Sequence, residues 1–219
     1  MNSLTNYIVF HDKESFNHFH DNNKDLDKTD FKFINVGKRV VANDVYLIQG
    51  TYFYNCINAI GYTNNIELHK SLLTFTAWYL LAKNDICRTD YIGIYEYDVK
   101  FLSDPNEIEL NKNTIYGFNK RELPDHLYLD GLPNLKRIMK DELTPQTYWN
   151  ATSNFIMHKD FLIKFVDWYM KFVPEILEYR NHSHFHERAI NIFASKHKYK
   201  NKFVPLLEHF QLCSHGINL

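Results

Sequence analysis

The stretch Asp90-Tyr-Ile-Gly-Ile-Tyr-Glu-Tyr-Asp-Val-Lys-Phe101 decides the fold of this chain. Its first part, Tyr91 to Tyr95, is an unbroken apolar run of β-branched and aromatic residues, which predicts a strand buried on both faces. The run ends in Glu96-Tyr97-Asp98, two carboxylates separated by one residue. Side chains two positions apart on an extended chain point the same way, so we expect Glu96 and Asp98 to project together from the strand end.

The position of this carboxylate pair has a chemical meaning. In open α/β sheets, ligands bind outside the carboxyl ends of the strands. Two hard oxygen ligands there suit a divalent cation, Mn²⁺ or Mg²⁺, that also holds the phosphates of a substrate. The tripeptide resembles the Glu-x-Asp variant of the Asp-x-Asp signature of metal-dependent, nucleotide-sugar glycosyltransferases of the GT-A fold. The alternative is a pair of solvated carboxylates at an exposed strand end.

Strands and helices alternate along the rest of the chain. Apolar runs predict further strands at residues 7–10, 31–36, 45–48 and 114–118. Apolar residues at helical spacing predict a helix over 67–83, with Asn64 or Asn65 as its N-cap, and another from Lys159 onward. We therefore expect one α/β domain over residues 1–219, with a mixed, twisted central sheet flanked by helices.

Composition excludes several classes of protein. The formal net charge is −1 with a pI near 6.9, which does not fit a nucleic-acid-binding protein held by phosphate contacts. The three cysteines, an odd number, are widely spaced and form neither a disulfide framework nor a zinc pattern, which favours a reducing compartment. Neither a signal peptide nor an apolar run of membrane-spanning length is present. We therefore expect a cytoplasmic protein without a transmembrane segment.

Several segments, in order, resemble a bacterial family linked to capsule and O-antigen synthesis. Asn65-Ile-Glu-Leu-His, a Trp-containing helix ending in Lys83-Asn84, and the Tyr-Ile-Gly of the central strand are similar to its motifs. Ser153-Asn-Phe-Ile-Met157 and His186-Glu-Arg-Ala-Ile-Asn-Ile-Phe193 follow, so the resemblance covers roughly residues 60 to 195. Where that family has His-Tyr-Arg-Arg, this chain has Glu96-Tyr97-Asp98. This chain is also similar in size and general organisation to small giant-virus glycosyltransferase domains. For a viral protein of this kind, the compartment would be the host cytoplasm.

The resemblance to GT-A enzymes implies the metal and nucleotide ligands. Such enzymes often take a further metal ligand from a histidine near the C-terminus, and His209 and His215 both qualify by position. The junction after the first strand faces the base and ribose in nucleotide-binding α/β folds, which makes His11 and Asp12 candidates. Tyr97, between the two carboxylates, is a third candidate for nucleotide binding.

The same resemblance implies how a sugar would be transferred. Glu187 aligns with the Glu of a family motif and is our candidate general base, which predicts inversion of the anomeric centre. An equal alternative is a glutamate that stabilises a helix N-terminus. The candidate sugar or acceptor ligands are Trp149, Asn150, Asn154 and Arg188, since rings and amides suit a polyhydroxylated ligand. The expected donor is a nucleotide sugar, a UDP-sugar above all, and the acceptor is a glycan or glycoconjugate.

Two other functions stay open at this stage. The first is a sugar- or nucleotide-binding module without turnover. The second is a zinc-dependent hydrolase built on His182, His184 and His186, which would share one face if they lay on a strand. No companion Asp/His motif of matching spacing accompanies this triplet.

Overall fold

The structure is a computed structural model, and it describes residues 3–26, 31–36, 56–58, 62–66, 72, 74–125, 133–135, 137–140, 147–178 and 184–210. The strands in these ranges are β1 Leu4–Phe10, β2 Phe31–Asn35, β3 Cys56–Asn58, β4 Tyr91–Glu96, β5 Val99–Phe101, β6 Thr114–Gly117, β7 Lys120–Glu122, β8 Tyr148–Asn150, β9 Phe155–His158, β10 Lys200–Phe203 and β11 Leu207–His209. The helices are α1 Lys13–Asn22, α2 Phe75–Lys83, α3 Lys159–Tyr169, α4 Val173–Ile176 and α5 Phe185–Lys196.

Seven of the described strands form one mixed sheet in the order β10-β6-β9-β4-β1-β2-β3. Strand β9 runs antiparallel to its neighbours β4 and β6, and every other neighbouring pair is parallel. The carboxyl ends of β1, β2, β4 and β6 therefore meet at one edge of the sheet, together with the start of β9. The predicted α/β class and mixed central sheet are confirmed.

The core lies on both faces of this sheet. On one face, helices α2, α3 and α5 cover an apolar cluster in which Trp78 packs against Phe155 and Phe165. On the other face, α1 covers a smaller cluster that contains Tyr95. Because neighbouring residues on a strand point to opposite faces, β4 sends Ile94 into the first cluster and Tyr95 into the second. The prediction that this strand is buried on both faces is confirmed.

Two small antiparallel pairs stand beside the main sheet. Strand β5 pairs with β11, and β7 pairs with β8. The first pair brings the end of the described chain, at His209, back to the segment that follows β4. No helix in the described ranges is both long and apolar enough to cross a bilayer.

The structure differs from the predictions at the helix before β4. Its described part is α2, which begins at Phe75 after Thr74, while residues 67–71 and 73 lie outside the described residues. Asn64 is not its N-cap, because Asn64 Nδ2 donates to the carbonyl of Lys83, at 3.1 Å, at the opposite end of the helix. The predicted strand at 45–48 also lies outside the described residues.

Candidate active site

Three potential metal ligands converge at the carboxyl edge of the sheet. Glu96 is the last residue of β4, and Asp98 follows in the turn that leads into β5. Strand β11 pairs with β5 so that His209 lies opposite Val99. One ligand atom each of Glu96, Asp98 and His209 lies within 4.8 Å of the other two. The chain thus joins two adjacent carboxylates with an imidazole from a distant segment.

The strand alternation that was expected to align Glu96 and Asp98 does not extend to Asp98. The strand ends at Glu96, and Tyr97 and Asp98 form a turn, so strand alternation does not align the pair. The turn is joined to the residue that follows β11, because the backbone N–H of Phe210 donates to the carbonyl of Asp98 at 2.8 Å. His209 Nε2 then lies 3.3 Å from Asp98 Oδ2. His215, the other candidate histidine, lies outside the described residues.

The electrostatics of this cluster favour a cation. Burial, followed by the charges of Asp98 and Glu187, raises the pKa of Glu96 to about 7, although Thr74 Oγ1 donates to Glu96 Oε1 at 2.7 Å. Burial and the charge of Glu187 also raise the pKa of Asp98 to about 6. The negative charge gathered here is incompletely compensated by the protein, which is the condition that a bound divalent cation relieves.

The chemistry of the three potential ligands also fits a divalent cation. Asp98 Oδ1 is buried and has no hydrogen-bond partner among the described residues, so a group from outside these residues would satisfy it. Two carboxylates and an imidazole are ligands that Mn²⁺ accepts, and the carboxylates also suit Mg²⁺. Glu96, Asp98 and His209 could therefore hold a divalent cation.

Glu187 lies in the first turn of α5 and borders this cluster. Its side chain accepts a hydrogen bond from Ser153 Oγ at 2.9 Å, and His184 Nδ1 lies 3.4 Å from the same oxygen, Oε1. Burial alone would raise the pKa of Glu187, but the hydrogen bond and charge of His184, together with His186 and Ser153, lower it below its ordinary value. The charge of Glu187 reaches both Glu96 and Asp98, because it raises the pKa of each.

The residues predicted to bind a nucleotide lie at the same edge of the sheet. Val9 of β1 pairs with Glu96, so His11 and Asp12 follow β1 next to the carboxylate pair. The rings of His11 and Tyr97 meet edge to face, with their centroids 5.7 Å apart. Asp12 also caps α1, since its Oδ1 accepts from the backbone N–H of Ser15 at 2.8 Å. The structure thus brings these three residues together beside the metal-ligand cluster.

The residues predicted to contact a sugar are interior side chains. Trp149, Asn150 and Asn154 are each 1% exposed. Asn150 Oδ1 accepts from the backbone N–H groups of Phe118 and Asn119, at 2.9 and 2.8 Å, and Asn150 Nδ2 donates to three oxygens of residues 152 and 154. The amide of Asn150 thus binds the protein's own loops together, and its sugar contact stays a prediction.

The two remaining predicted sugar ligands are also engaged inside the protein. Asn154 Oδ1 accepts from the backbone N–H of Glu96 at 2.7 Å, which ties β9 to the metal-ligand strand. The guanidinium of Arg188 lies over the Trp149 ring at 5.4 Å and donates to the carbonyl of His184 at 3.0 Å. In the structure, Trp149, Asn154 and Arg188 contact other parts of the protein, and their sugar contacts stay predictions.

The two described histidines of the triplet, His184 and His186, lie at the start of a helix and not on a strand. His184 precedes α5 and His186 lies within it, while His182 is outside the described residues. His186 is buried with its ring against Trp78, at 5.2 Å between centroids, and its Nε2 lies 2.9 Å from Ser153 Oγ. His184 and His186 therefore do not share the face that a strand would give them, and the zinc alternative loses this condition.

Sequence reasoning missed two residues of the site. Thr74 binds Glu96, and Ser153 binds Glu187. Ser153 lies in a segment that resembles a family motif, but a serine before a strand carries no chemical signature of its own. Its role depends on the approach of α5 to the start of β9, which only the fold reveals.

Solved structures of similar fold were found. WbbM, described as a bifunctional glycosyltransferase, is similar with a TM-score of 0.58 at 16% identity, over 94% of this chain and 45% of that chain. An active-site variant of LgtC gives 0.50 at 9% identity, over 91% and 72%. The 4-diphosphocytidyl-2C-methyl-D-erythritol synthase of Anaerococcus prevotii gives 0.50 at 14%, over 93% and 88%. No protein-family model and no curated protein sequence matches this chain.

These likenesses concern the fold, since every identity is low. The chain spans less than half the length of the WbbM chain that it matches. The mixed sheet, the helices on both of its faces and the similar solved structures together identify the fold of this chain as the GT-A fold.

Proposed function

We propose that this chain is a metal-dependent glycosyltransferase that moves a sugar from a nucleotide-sugar donor, a UDP-sugar, to a glycan or glycoconjugate. The observation that carries the proposal is the cluster of Glu96, Asp98 and His209 at the carboxyl edge of a GT-A sheet. WbbM, a structure of similar fold, is named a glycosyltransferase, which supports this reaction class. Residues 1–219 would form a single glycosyltransferase domain.

The metal site would serve the departing phosphates. Glu96, Asp98 and His209 would hold Mn²⁺ or Mg²⁺, and Thr74 orients Glu96 through its hydrogen bond. A divalent cation, when bound, neutralises charge that develops on the leaving diphosphate. The residues of the chain supply the rest, because they fix the strand end and keep it partly shielded from water.

Glu187 is the proposed general base. Its carboxylate takes the proton of the acceptor hydroxyl while the acceptor oxygen forms a bond to the anomeric carbon. The bond from that carbon to the phosphate oxygen breaks, and its electron pair leaves with the nucleoside diphosphate. A single displacement of this kind inverts the anomeric centre. The lowered pKa of Glu187 supports this role, because a base must be ionised before it accepts a proton.

His11, Asp12 and Tyr97 are the proposed contacts of the nucleotide. They adjoin the metal ligands at the end of β1 and in the turn after β4, where ligands of open α/β sheets bind. The resemblance of the sequence to capsule and O-antigen enzymes supports polysaccharide synthesis as the setting, in a bacterium or a virus. The proposed compartment is the cytoplasm.

Calorimetric titration with UDP and GDP, with and without Mn²⁺, tests the proposal. We expect UDP binding that requires Mn²⁺ in the wild type and is lost in Asp98→Asn. Asp25→Asn is the matched control, since Asp25 is exposed and lies outside the candidate site. Nucleotide binding that ignores both Mn²⁺ and Asp98→Asn would overturn the metal assignment.

A donor screen then separates an enzyme from a binding module. Release of UDP from a UDP-sugar in the presence of a glycan acceptor would support the transferase. Metal-dependent UDP binding without turnover on any donor would instead favour a sugar- or nucleotide-binding module.

A further inference from the structure

A buried hydrogen-bonded chain stands behind Glu187. Ser153 Oγ donates to Glu187 Oε1 at 2.9 Å, and the same hydroxyl oxygen lies 2.9 Å from His186 Nε2. Ser153 is fully buried, and His186 and Glu187 are 2% and 7% exposed. A serine shielded in this way cannot act as a nucleophile, and its position between a carboxylate and an imidazole points to a different role.

The direction of these hydrogen bonds follows from counting protons. An ionised carboxylate can only accept, so the single hydroxyl hydrogen of Ser153 goes to Glu187. Nε2 of His186 must therefore carry a hydrogen and donate it to Ser153 Oγ. Packing holds the imidazole in this orientation, because its ring lies against Trp78 and Phe75 with centroids 5.2 and 6.0 Å away. The donors form one chain from His186 through Ser153 to Glu187.

Only one oxygen of the Glu187 carboxylate is engaged by this chain. Ser153 and His184 both approach Oε1, and no hydrogen bond from a described residue reaches Oε2. The amide of Asn191 binds the carbonyl of Glu187 at 2.6 Å, which fixes the backbone of the same residue. The hydrogen bonds of the described residues thus hold the carboxylate at one of its two oxygens.

We infer that Ser153 and His186 are positioning residues that anchor Glu187 Oε1 by hydrogen bonds and help His184 to keep the carboxylate ionised. The inference rests on the proposed function, in which Glu187 is the general base. It adds that two interior side chains act together with His184 to offset the burial of Glu187, because hydrogen bonds to the charged form favour that form.

Other charged groups act on Glu187 and must be separated from this chain. His184 approaches the same oxygen at a longer distance, 3.4 Å, and its side chain is 60% exposed, so solvent weakens its hold. The titratable and charged groups that surround Glu187 are Glu96, Asp98, Tyr169, His184, His186 and Arg188. Substitution of Ser153 removes the hydrogen bond to Glu187 and the contact with His186 Nε2, and it leaves the side chains of the surrounding groups in place.

The pKa of the Glu187 carboxylate is the direct measurement. Carbon-13 NMR of protein labelled at the glutamate carboxyl would follow its titration, and the spectrum of Glu187→Gln would assign the resonance. We expect Ser153→Ala to raise the pKa of Glu187 by about one unit, the size expected for loss of one hydrogen bond to a charge. An unchanged pKa in Ser153→Ala would overturn the inference.

Two substitutions of His186 form a matched pair. His186→Gln can still donate to Ser153 Oγ from its amide, whereas His186→Met fills the space without a donor. We expect His186→Met to raise the pKa of Glu187 and His186→Gln to leave it near the wild-type value. Equal shifts in both variants would show that packing, and not the hydrogen bond, is responsible. If His186→Met fails to fold, Ser153→Ala alone decides.

The pH dependence of kcat/KM then tests whether the hydrogen-bonded chain from His186 to Glu187 affects catalysis. The acidic limb of the profile should move upward in Ser153→Ala by the same amount as the pKa of Glu187, with UDP and Mn²⁺ binding unchanged. A shifted pKa with an unmoved acidic limb would refute the positioning role. Absence of transfer by the wild type would count against the proposed function alone, because the NMR titration is decided without turnover.

Discussion

The imidazole of His209 lies 3.3 Å from the carboxylate of Asp98, on the far side of a two-stranded ladder that joins β5 to β11. This contact completes a set of three potential ligands, of which one ends β4 and one lies in the turn that follows it. The affinity for a divalent cation should therefore depend on a segment near the end of the chain as strongly as on the carboxylate pair.

The first prediction concerns this histidine. His209→Ala should weaken Mn²⁺ binding by about tenfold or more, equivalent to at least about 1.4 kcal/mol, because one of three protein ligands is lost. Titration calorimetry with Mn²⁺ alone measures the change. His197→Ala is the control, since His197 is exposed at the end of α5. Equal Mn²⁺ affinity in His209→Ala and the wild type would exclude His209 as a ligand.

The second prediction concerns stability without metal. The pKa of Glu96 is about 7 in the folded protein and ordinarily 4.5, so between these values the folded state binds more protons than the unfolded state. Stability in chelator should consequently fall as the pH rises from 5 to 7.5, by roughly 1–3 kcal/mol. Urea unfolding of the wild type and Glu96→Gln measures it. The variant should lose most of this slope, and an identical slope in both proteins would contradict the prediction.

The third prediction concerns metal and pH together. Protons compete with a cation for Glu96 and Asp98, whose pKa values are raised to about 7 and about 6. Saturating Mn²⁺ should therefore raise the Tm by several degrees at pH 7.5 and by much less at pH 5.5. Thermal unfolding with Mn²⁺ and with chelator at both pH values provides the comparison. A Tm increase that does not depend on pH would mean that the cation binds elsewhere.

The fourth prediction concerns catalysis by Glu187. Glu187→Gln should lower kcat for sugar transfer by about 10²–10⁴-fold, because the base is removed, while UDP and Mn²⁺ still bind. The control is Glu178→Gln, since Glu178 is exposed and follows α4. Initial rates and calorimetry on the same samples separate the two effects. A kcat within a few-fold of the wild type would remove Glu187 from the mechanism.

The fifth prediction concerns the strand that carries the site. A methyl group added at Gly93 would lie 2.5 Å from Asn6 Oδ1 and 2.6 Å from the Tyr95 hydroxyl oxygen. These two side chains are hydrogen-bonded to each other inside the sheet, at 3.1 Å, so neither can move freely. Gly93→Ala should destabilise the protein by about 1–3 kcal/mol in urea unfolding. Ile94→Val is the control on the same strand, with an expected cost of about 0.5–1.5 kcal/mol.

The sequence was sufficient where chemistry and pattern coincide. The apolar run at 91–95 predicted the central strand, and the carboxylates after it marked the edge of the sheet where the ligands gather. His209 was one of two candidates by position. The sequence alone cannot show which histidine lies on the strand that pairs with β5 beside the carboxylates. The neighbouring position of His11 and Tyr97 followed from the expected parallel sheet.

Several side-chain roles depend on contacts that only tertiary structure determines. Asn150 resembles a sugar ligand in the sequence, yet its amide is consumed by five hydrogen bonds to loops on either side. His184 and His186 alternate as strand residues would, but the helix begins between them. Ser153 escaped notice because a hydroxyl acquires a role only when another element approaches it. In each of these cases, the burial of the side chain and the elements packed against it determine its contacts, and residue type alone does not.

Strand β9 runs against its neighbours, and this reversal has a mechanical consequence. The backbone pairing of β4 with β9 ends at Ile94 and Phe155, and beyond it the side chain of Asn154 receives the N–H of Glu96. The side chain of Asn154 therefore accepts the hydrogen bond of Glu96 at a position where a backbone carbonyl would otherwise continue the ladder. The position of the candidate ligand Glu96 is thus fixed by one side-chain amide and not by the backbone pairing of the sheet.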